Sequence, residues 1–457
     1  MATPSCKNEA GKAWTNTIAA SSICLLILSS IFYYSVTNLK SLQEPEQEQK
    51  RQISSYTEKT TSDQSFNPPD DSGFSSTEIH TPVDSSSLAE FIETKRDIHQ
   101  FNRHKLLPLI KSLVTMDYFR YVKLNLNRPC KLWCDADKCN LRDCKVKTVS
   151  DPNKCPISNY DEELATVNTE LTSDQLNLVI KLFECNDNDD HDSQYVDLLV
   201  NPERFTGYSG ESAHRIWRAI YEENCFLTKT RSPFRDDLCY EERLFYESIS
   251  GLHTSINIHL CAEYPSMELM GSFGPNLDEF MRRFESHYDY LENLYKLYFL
   301  ELKALLSIKP YLLKKVTWPD SHTKRAVQDL LTIVGKSELP VTGELSLKPG
   351  HISHELALHF HNITTTIMDC VACDKCKLWG KVQLRGLGVA FKVLSVKDLG
   401  KLYLNQQEIV SFINAIARLS HSIRQLEEFR DMLESSSRQT NLPHNGRNNN
   451  PSVFGMR

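Results

Sequence analysis

Apolar residues in the middle of this chain recur at helical spacing, and almost nowhere with the alternation of a strand. From Ala213 to Glu223, Ile216, Trp217 and Ile220 fall on one face. Leu244 to Leu260 repeats the pattern through Phe245, Ile249, Leu252 and Ile256. A third run starts at Asn276 and passes through Phe280, Phe284, Leu294, Leu297, Leu300 and Leu305; Pro310 is expected to stop it. Asn405 and Glu408 have the spacing of a capping box. They precede a helix carrying Ile409, Phe412, Ile413, Ile416, Leu419, Ile423, Leu426 and Phe429. No comparable signal supports a large sheet. The pattern predicts a mainly α fold, a single-domain helical bundle.

Other stretches break the helical period. No charged residue lies between Lys12 and Lys40, and the run Ile23-Cys-Leu-Leu-Ile-Leu28 sits inside that gap. Its length matches the roughly 20 residues that cross a bilayer. Residues 13–39 therefore read as a transmembrane signal anchor behind a short cytosolic N-terminus, 1–12. A cleaved signal peptide is the alternative, because Ser29, Ser30 and Ser35 are small. Residues 40–87 and 435–457 are polar and poor in large apolar side chains, so they read as a disordered linker and a disordered tail. The folded unit between them is 88–434. Within it, Cys130 to Pro156 is polar and aperiodic, and reads as a flexible cysteine-bearing loop.

Charge and cysteine content narrow the setting. A net charge of −7 without any basic run argues against nucleic acid as a partner. Twelve of the fourteen cysteines follow the expected anchor, which suits an oxidising lumen. That places the bulk of the chain on the lumenal side of the membrane, in single-pass type II orientation. Asn362-Ile363-Thr364 is a glycosylation acceptor compatible with that compartment.

The candidate chemistry is in the cysteines. Cys370, Cys373 and Cys376 are spaced with two-residue gaps, and Cys130, Cys134, Cys139 and Cys144 cluster upstream. Such dithiols exchange disulfides, hold zinc or hold an iron–sulfur cluster. An iron–sulfur site lacks its fourth thiolate, since Gly380 follows where a cysteine is needed. Zinc would need His359, His361 or an upstream cysteine as fourth ligand. A chain this long needs no staples to build a core, which weakens the purely structural reading. Disulfide exchange is the stronger reading. Lys375 and Lys377 flank Cys376, while Lys138, Arg142 and Lys145 surround Cys139 and Cys144, and cations beside a thiol favour the thiolate. Met368 to Trp379 is expected to begin a helix, adding its positive end. Two dithiols suggest a relay, which needs an electron acceptor; a flavin is the usual one. No Gly-x-Gly-x-x-Gly follows a strand, so a flavin must sit among helices.

With these features the chain resembles the endoplasmic oxidoreductin-1 family of flavin-dependent thiol oxidases. The likeness spans about Leu106 to Leu433. It rests on Asn127-Arg-Pro-Cys130, Cys139-Asn-Leu-Arg-Asp-Cys144, Tyr195 through Tyr208, Ile216-Trp217 through Cys225, Ser250-Gly-Leu-His253, and Cys370 through Lys381. The resemblance implies a shuttle disulfide, Cys139–Cys144, that oxidises protein disulfide isomerase. It implies an active-site disulfide, Cys373–Cys376, beside flavin adenine dinucleotide (FAD), with molecular oxygen as final acceptor and hydrogen peroxide as product. Cys376 is expected nearer the flavin, and Cys373 is expected to be attacked by the shuttle. Structural bridges Cys130–Cys370 and Cys225–Cys239 are implied, as are FAD contacts from Arg204, Thr206, Trp217, Ser250, His253 and Arg283. Tyr290 stands where many animal members carry a second arginine. Cys134, Cys155 and Cys185 are candidates for regulatory pairing, Val149 replaces an expected cysteine, and Cys261 reads as a buried free thiol. No metal is expected.

Overall fold

The computed structural model describes residues 85–133, 145–148, 182–183, 191–208, 210–224, 239–265, 273–337, 352–396 and 398–440. The chain enters through α1 (Ser85–Glu93), α2 (Arg96–Phe101), a π-helical turn (Asn102–Leu106), α3 (Leu107–Val114) and α4 (Asp117–Arg120). Strand β1 (Tyr121–Leu124) pairs antiparallel with β2 (Gln194–Asp197), Tyr121 facing Asp197. A 3₁₀ turn (Phe205–Tyr208) leads to α5 (Glu211–Asn224) and then α6 (Tyr240–Ala262). The short pair β3 (Tyr264–Pro265) and β4 (Phe273–Gly274) precedes α7 (Leu277–Phe284), α8 (Tyr288–Ser307), α9 (Lys309–Lys314) and α10 (Ser321–Gly335). The chain closes with α11 (His354–Asn362), α12 (Asp374–Ser395) and α13 (Gln406–Thr440). Among the described residues the sheets are these two strand pairs, so the fold is mainly helical as expected.

Local chemistry explains the element ends. Asn405 Oδ1 accepts from Glu408 N, and Glu408 Oε2 accepts from Asn405 N, both at 2.9 Å: the capping box ahead of α13 is formed. Asn276 caps α7 by accepting from Glu279 N. The run expected to be one helix from Asn276 is instead two, because the chain turns at Glu285-Ser286-His287 between α7 and α8. The helix α8 ends at Ser307, just ahead of Pro310, as expected. Pro310 itself sits in the first turn of α9, where its missing N–H has no intrahelical partner to lose.

The long helices pack on their apolar faces. In α13, Phe412, Ile413, Ile416, Ile423, Leu426 and Phe429 are buried, and in α12 so are Val382, Leu387, Ala390 and Phe391. The two helices approach so closely that a Cβ at Gly386 would meet the Ser411 carbonyl oxygen at 2.9 Å, so this crossing requires glycine. The core begins at Leu88, and the helix that carries it starts slightly earlier, at Ser85. At the other end α13 runs on to Thr440, into the expected tail.

No described helix is long and apolar enough to cross a membrane. The expected anchor at 13–39 and the linker at 40–84 lie outside the described residues.

Candidate active site

Leaving the 3₁₀ turn Met368–Cys370, the chain enters α12 with Cys373 as its N-cap. Cys373 Sγ accepts from Cys376 N at 3.3 Å, and the two residues form a disulfide with Cα atoms 5.1 Å apart. Cys373 is 2% exposed and Cys376 0%. The N-terminal end of a 22-residue helix carries partial positive charge, which favours a thiolate at Cys373 once the bond is broken. Over the sulfurs lies the Arg204–Tyr208 segment. The Arg204 carbonyl oxygen is 3.3 Å from Cys376 Sγ. A Cβ on Gly207 would fall 2.6 Å from Cys373 Sγ and closer still to Cys376 Sγ. Only a glycine backbone fits against the disulfide there.

The lysines around Cys376 serve a different purpose from the one expected. Lys377 Nζ donates to the Leu126 carbonyl (3.2 Å), and Lys381 Nζ to the Asn125 carbonyl (2.9 Å) and to Asp369 (2.8 Å). Positions 377 and 381 share a helix face, one residue round from Cys376, so their charges are spent on the strand-to-loop segment. Burial lowers the Lys377 pKa and raises that of Asp369, against the pull of their ion partners. Below them Cys130 and Cys370 form the expected bridge, with Cα atoms 4.4 Å apart. The far side of the cysteine-bearing loop is tied to the same helix. Trp379 Nε1 donates to the Asn201 carbonyl (2.7 Å), and Asn201 bonds both backbone polar groups of Lys147. Cys134, Cys139, Cys144, Val149, Cys155, Cys185 and Cys225 themselves lie outside the described residues. Cys239 is exposed at the N-cap of α6, where its N–H is held by the Glu242 carboxylate; its expected bridge to Cys225 involves a residue outside those described. Cys261 is the buried free thiol expected, and burial pushes its pKa up to about 12, leaving it unreactive.

The residues implied as flavin contacts gather around α6. Trp217 of α5 stacks on His253, ring centres 3.9 Å apart and planes 20° apart. The Tyr221 hydroxyl is 3.0 Å from His253 Nδ1. Burial, then the nearby Arg283 and His214, bring the His253 pKa down to about 3, so the ring is neutral. Arg283 of α7 is held by Asn257 one helical turn along α6 (2.8 Å) and by Glu279 (2.7 Å). The Arg204 guanidinium lies 5.9 Å over the Phe273 ring, and Thr206 is in the 3₁₀ turn. Ser250 is placed differently: buried, its hydroxyl accepts from Asn293 Nδ2 of α8 at 3.0 Å. Tyr290 stacks on His287. An aromatic plane, a neutral imidazole and an anchored guanidinium form a donor set that fits a flavin ring and its pyrophosphate.

Sequence reading missed a second polar layer behind the disulfide. Phe205 stacks on His259 (4.6 Å), which stacks on His421 (5.0 Å), and Arg418 lies 3.9 Å over Trp379. Glu203 joins Tyr208, Gln383 and Arg418. The sequence signal for this layer is a glutamate and a tyrosine flanking Arg204-Phe-Thr-Gly207, which spacing alone does not distinguish from surface. As for metals, the three sulfurs at 370, 373 and 376 are in disulfides and hold none of the thiolates that a zinc or iron–sulfur site needs.

Residues 105–426 match the family described as Endoplasmic Reticulum Oxidoreductin 1 (ERO1). The chain belongs to this family. The ERO1 span takes in every described site residue from Cys130 to Arg418. An Ero1-like protein of Drosophila melanogaster is 35% identical over 426 residues, covering 74% of this chain and 87% of the relative. ERO1-like protein alpha of Homo sapiens is 36% identical over 419 residues, covering 74% and 88%. Among solved structures, a cysteine double mutant of S. cerevisiae Ero1p matches with a TM-score of 0.55 at 29% identity, covering 78% of this chain and 99% of that one. ERO1 membership makes the chain an endoplasmic reticulum oxidoreductase acting on thiols.

Proposed function

We propose that this chain is an FAD-dependent thiol oxidase that reoxidises protein disulfide isomerase in the lumen of the endoplasmic reticulum. The observation that carries the reading is the sealed Cys373–Cys376 disulfide at the N-terminus of α12. A buried pair whose sulfurs contact glycine backbone is a poor staple and a good electron relay. Cys139–Cys144 serves as the shuttle pair, its loop tethered on one side to the turn before α12 through Cys130–Cys370 and on the other to α12 through Trp379–Asn201. Bound FAD would supply a two-electron acceptor. Trp217 and His253, stacked on each other, would offer an aromatic face to its ring, Arg283 and Arg204 would meet its phosphates, and Thr206 and the α6 backbone near Ser250 would complete the pocket.

The shuttle is oxidised by thiol–disulfide exchange. A shuttle thiolate attacks Cys373 Sγ, breaking the Cys373–Cys376 bond and freeing Cys376 as a thiolate beside the Arg204 carbonyl. The second shuttle thiol then expels Cys373, whose thiolate is stabilised by the Cys376 N–H and the helix end. The shuttle is now a disulfide and the inner pair a dithiol. Two electrons leave that dithiol, reforming the inner disulfide, and two protons and one oxygen molecule become hydrogen peroxide. Residues 13–39 would tether the enzyme to the membrane in type II orientation. Cys376→Ala tests the route: oxygen uptake with reduced isomerase should fall to background, whereas retained turnover would contradict it.

A further inference from the structure

Beside the inner disulfide lies a carboxylate that the exchange steps do not use. Glu203 is 3% exposed, and the groups bonded to its oxygens are donors. Tyr208 Oη donates to Oε1 (2.5 Å), Gln383 Nε2 reaches the two oxygens (3.1 and 3.4 Å), and Arg418 Nε stands 3.4 Å from Oε2. Donors from three different elements mark a buried anion. The Glu203 pKa is raised, chiefly by burial with Glu263, just past α6, adding to the rise, while Arg418, Tyr208 and Gln383 pull against it. His259 and His421, near Arg418, are held neutral chiefly by burial.

This anion is wired to the disulfide by backbone. The hydroxyl of Tyr208 is also 3.2 Å from the Cys376 carbonyl oxygen, so one proton serves two acceptors. Arg204, next in sequence to Glu203, sets its carbonyl against Cys376 Sγ, and Gly207, next to Tyr208, covers both sulfurs.

We propose that Glu203 is a positioning residue for Cys373–Cys376: it clamps the Arg204–Tyr208 turn onto the sulfurs, and its negative charge sets how readily that disulfide accepts electrons. The proposal rests on the pair being redox-active, and on nothing about its oxidant. Reduction breaks the S–S bond as two electrons enter; two protons give a dithiol, one gives a thiol and a thiolate. A fixed anion nearby disfavours the thiolate. Glu203→Gln removes the charge, favours the thiolate and makes the pair more oxidising. Tyr208→Phe removes a donor that holds Glu203 ionised, so it weakens the same charge and acts in the same direction by less. A purely structural role has no reason to move both variants toward reduction.

The test equilibrates the full chain and both variants with glutathione redox buffers from pH 6 to 9. The state of Cys373–Cys376 is read by differential alkylation and peptide mass spectrometry, which requires neither flavin nor isomerase. The expected result is an equilibrium constant shifted about tenfold, ~30 mV, toward reduction in Glu203→Gln. Its pH dependence should flatten from a lower pH, and Tyr208→Phe should shift the same way by less. A shift toward oxidation in either variant, or none in both, would overturn the proposal. If Glu203→Gln fails to accumulate, the sign in Tyr208→Phe decides. A wild-type pair that never reduces would overturn the underlying redox reading as well, and is distinguishable from the other outcomes.

Discussion

At the scale of single residues, the contact between Gly207 and the two sulfurs sets the tightest constraint. Neither sulfur can retreat, because both belong to a buried disulfide. Gly207→Ala should therefore keep the fold but displace the turn from the inner pair. We expect oxygen uptake to fall by at least about tenfold, since displacements near 1 Å cost that much or more. Near-ultraviolet circular dichroism would confirm that the variant is folded, and wild-type turnover in it would refute the contact's importance. His99 makes a separate, pH-dependent contribution. Its ring bonds the Ile423 carbonyl (3.1 Å) and the Tyr295 hydroxyl (2.8 Å), and burial brings its pKa down from 6.5 to about 4. Below pH 6.5 the unfolded chain binds a proton that folded His99 refuses. The stability is thus present above pH 6.5 and is lost as pH falls toward 4, by about 2 kcal/mol at pH 5. Thermal unfolding at pH 7 and pH 5 should show this drop in the wild type and a smaller one in His99→Gln.

At the scale of elements, what could be read from sequence followed from length and period. Helices α5, α6 and α13 carry their apolar residues at strict helical spacing over many turns, and Asn405 announced the start of α13. The α7–α8 break was hidden because Phe284 and Leu294 continue the apolar pattern across the turn. The strands β1 and β2 are four residues each and pair across a gap of some seventy residues, which no local pattern shows. Lys377 was misread for a related reason: adjacency to Cys376 along the chain does not aim its ammonium at the sulfur, and it bonds the Leu126 carbonyl instead. The Cys130–Cys370 bridge joins parts separated by 240 residues. Replacing both cysteines by alanine should lower unfolding free energy by about 2–5 kcal/mol. It should also slow isomerase oxidation more than oxidation of dithiothreitol, because one tether of the shuttle loop is gone. An unchanged ratio between the two substrates would argue that the bridge serves stability alone.

At the scale of the whole molecule, the proposed chemistry is a relay in which a loop meets the protein substrate and a buried pair delivers electrons onward. Cys139→Ala should abolish oxidation of the isomerase while leaving oxidation of dithiothreitol largely intact, as a small dithiol reaches the inner pair directly. Equal loss with both substrates would exclude a separate shuttle. The cysteine spacing and the blocks around Tyr208, Trp217 and His253 made this relay legible in sequence. The Glu203–Tyr208–Arg418 layer was not, because it exists only where the turn before α5, α12 and α13 meet. The most direct test of the central claim is the visible absorption spectrum of the purified full-length protein. The account predicts a flavin band that bleaches on anaerobic addition of reduced isomerase and returns in air. A folded, colourless protein, or a flavin band that reduced isomerase leaves unchanged, would contradict it.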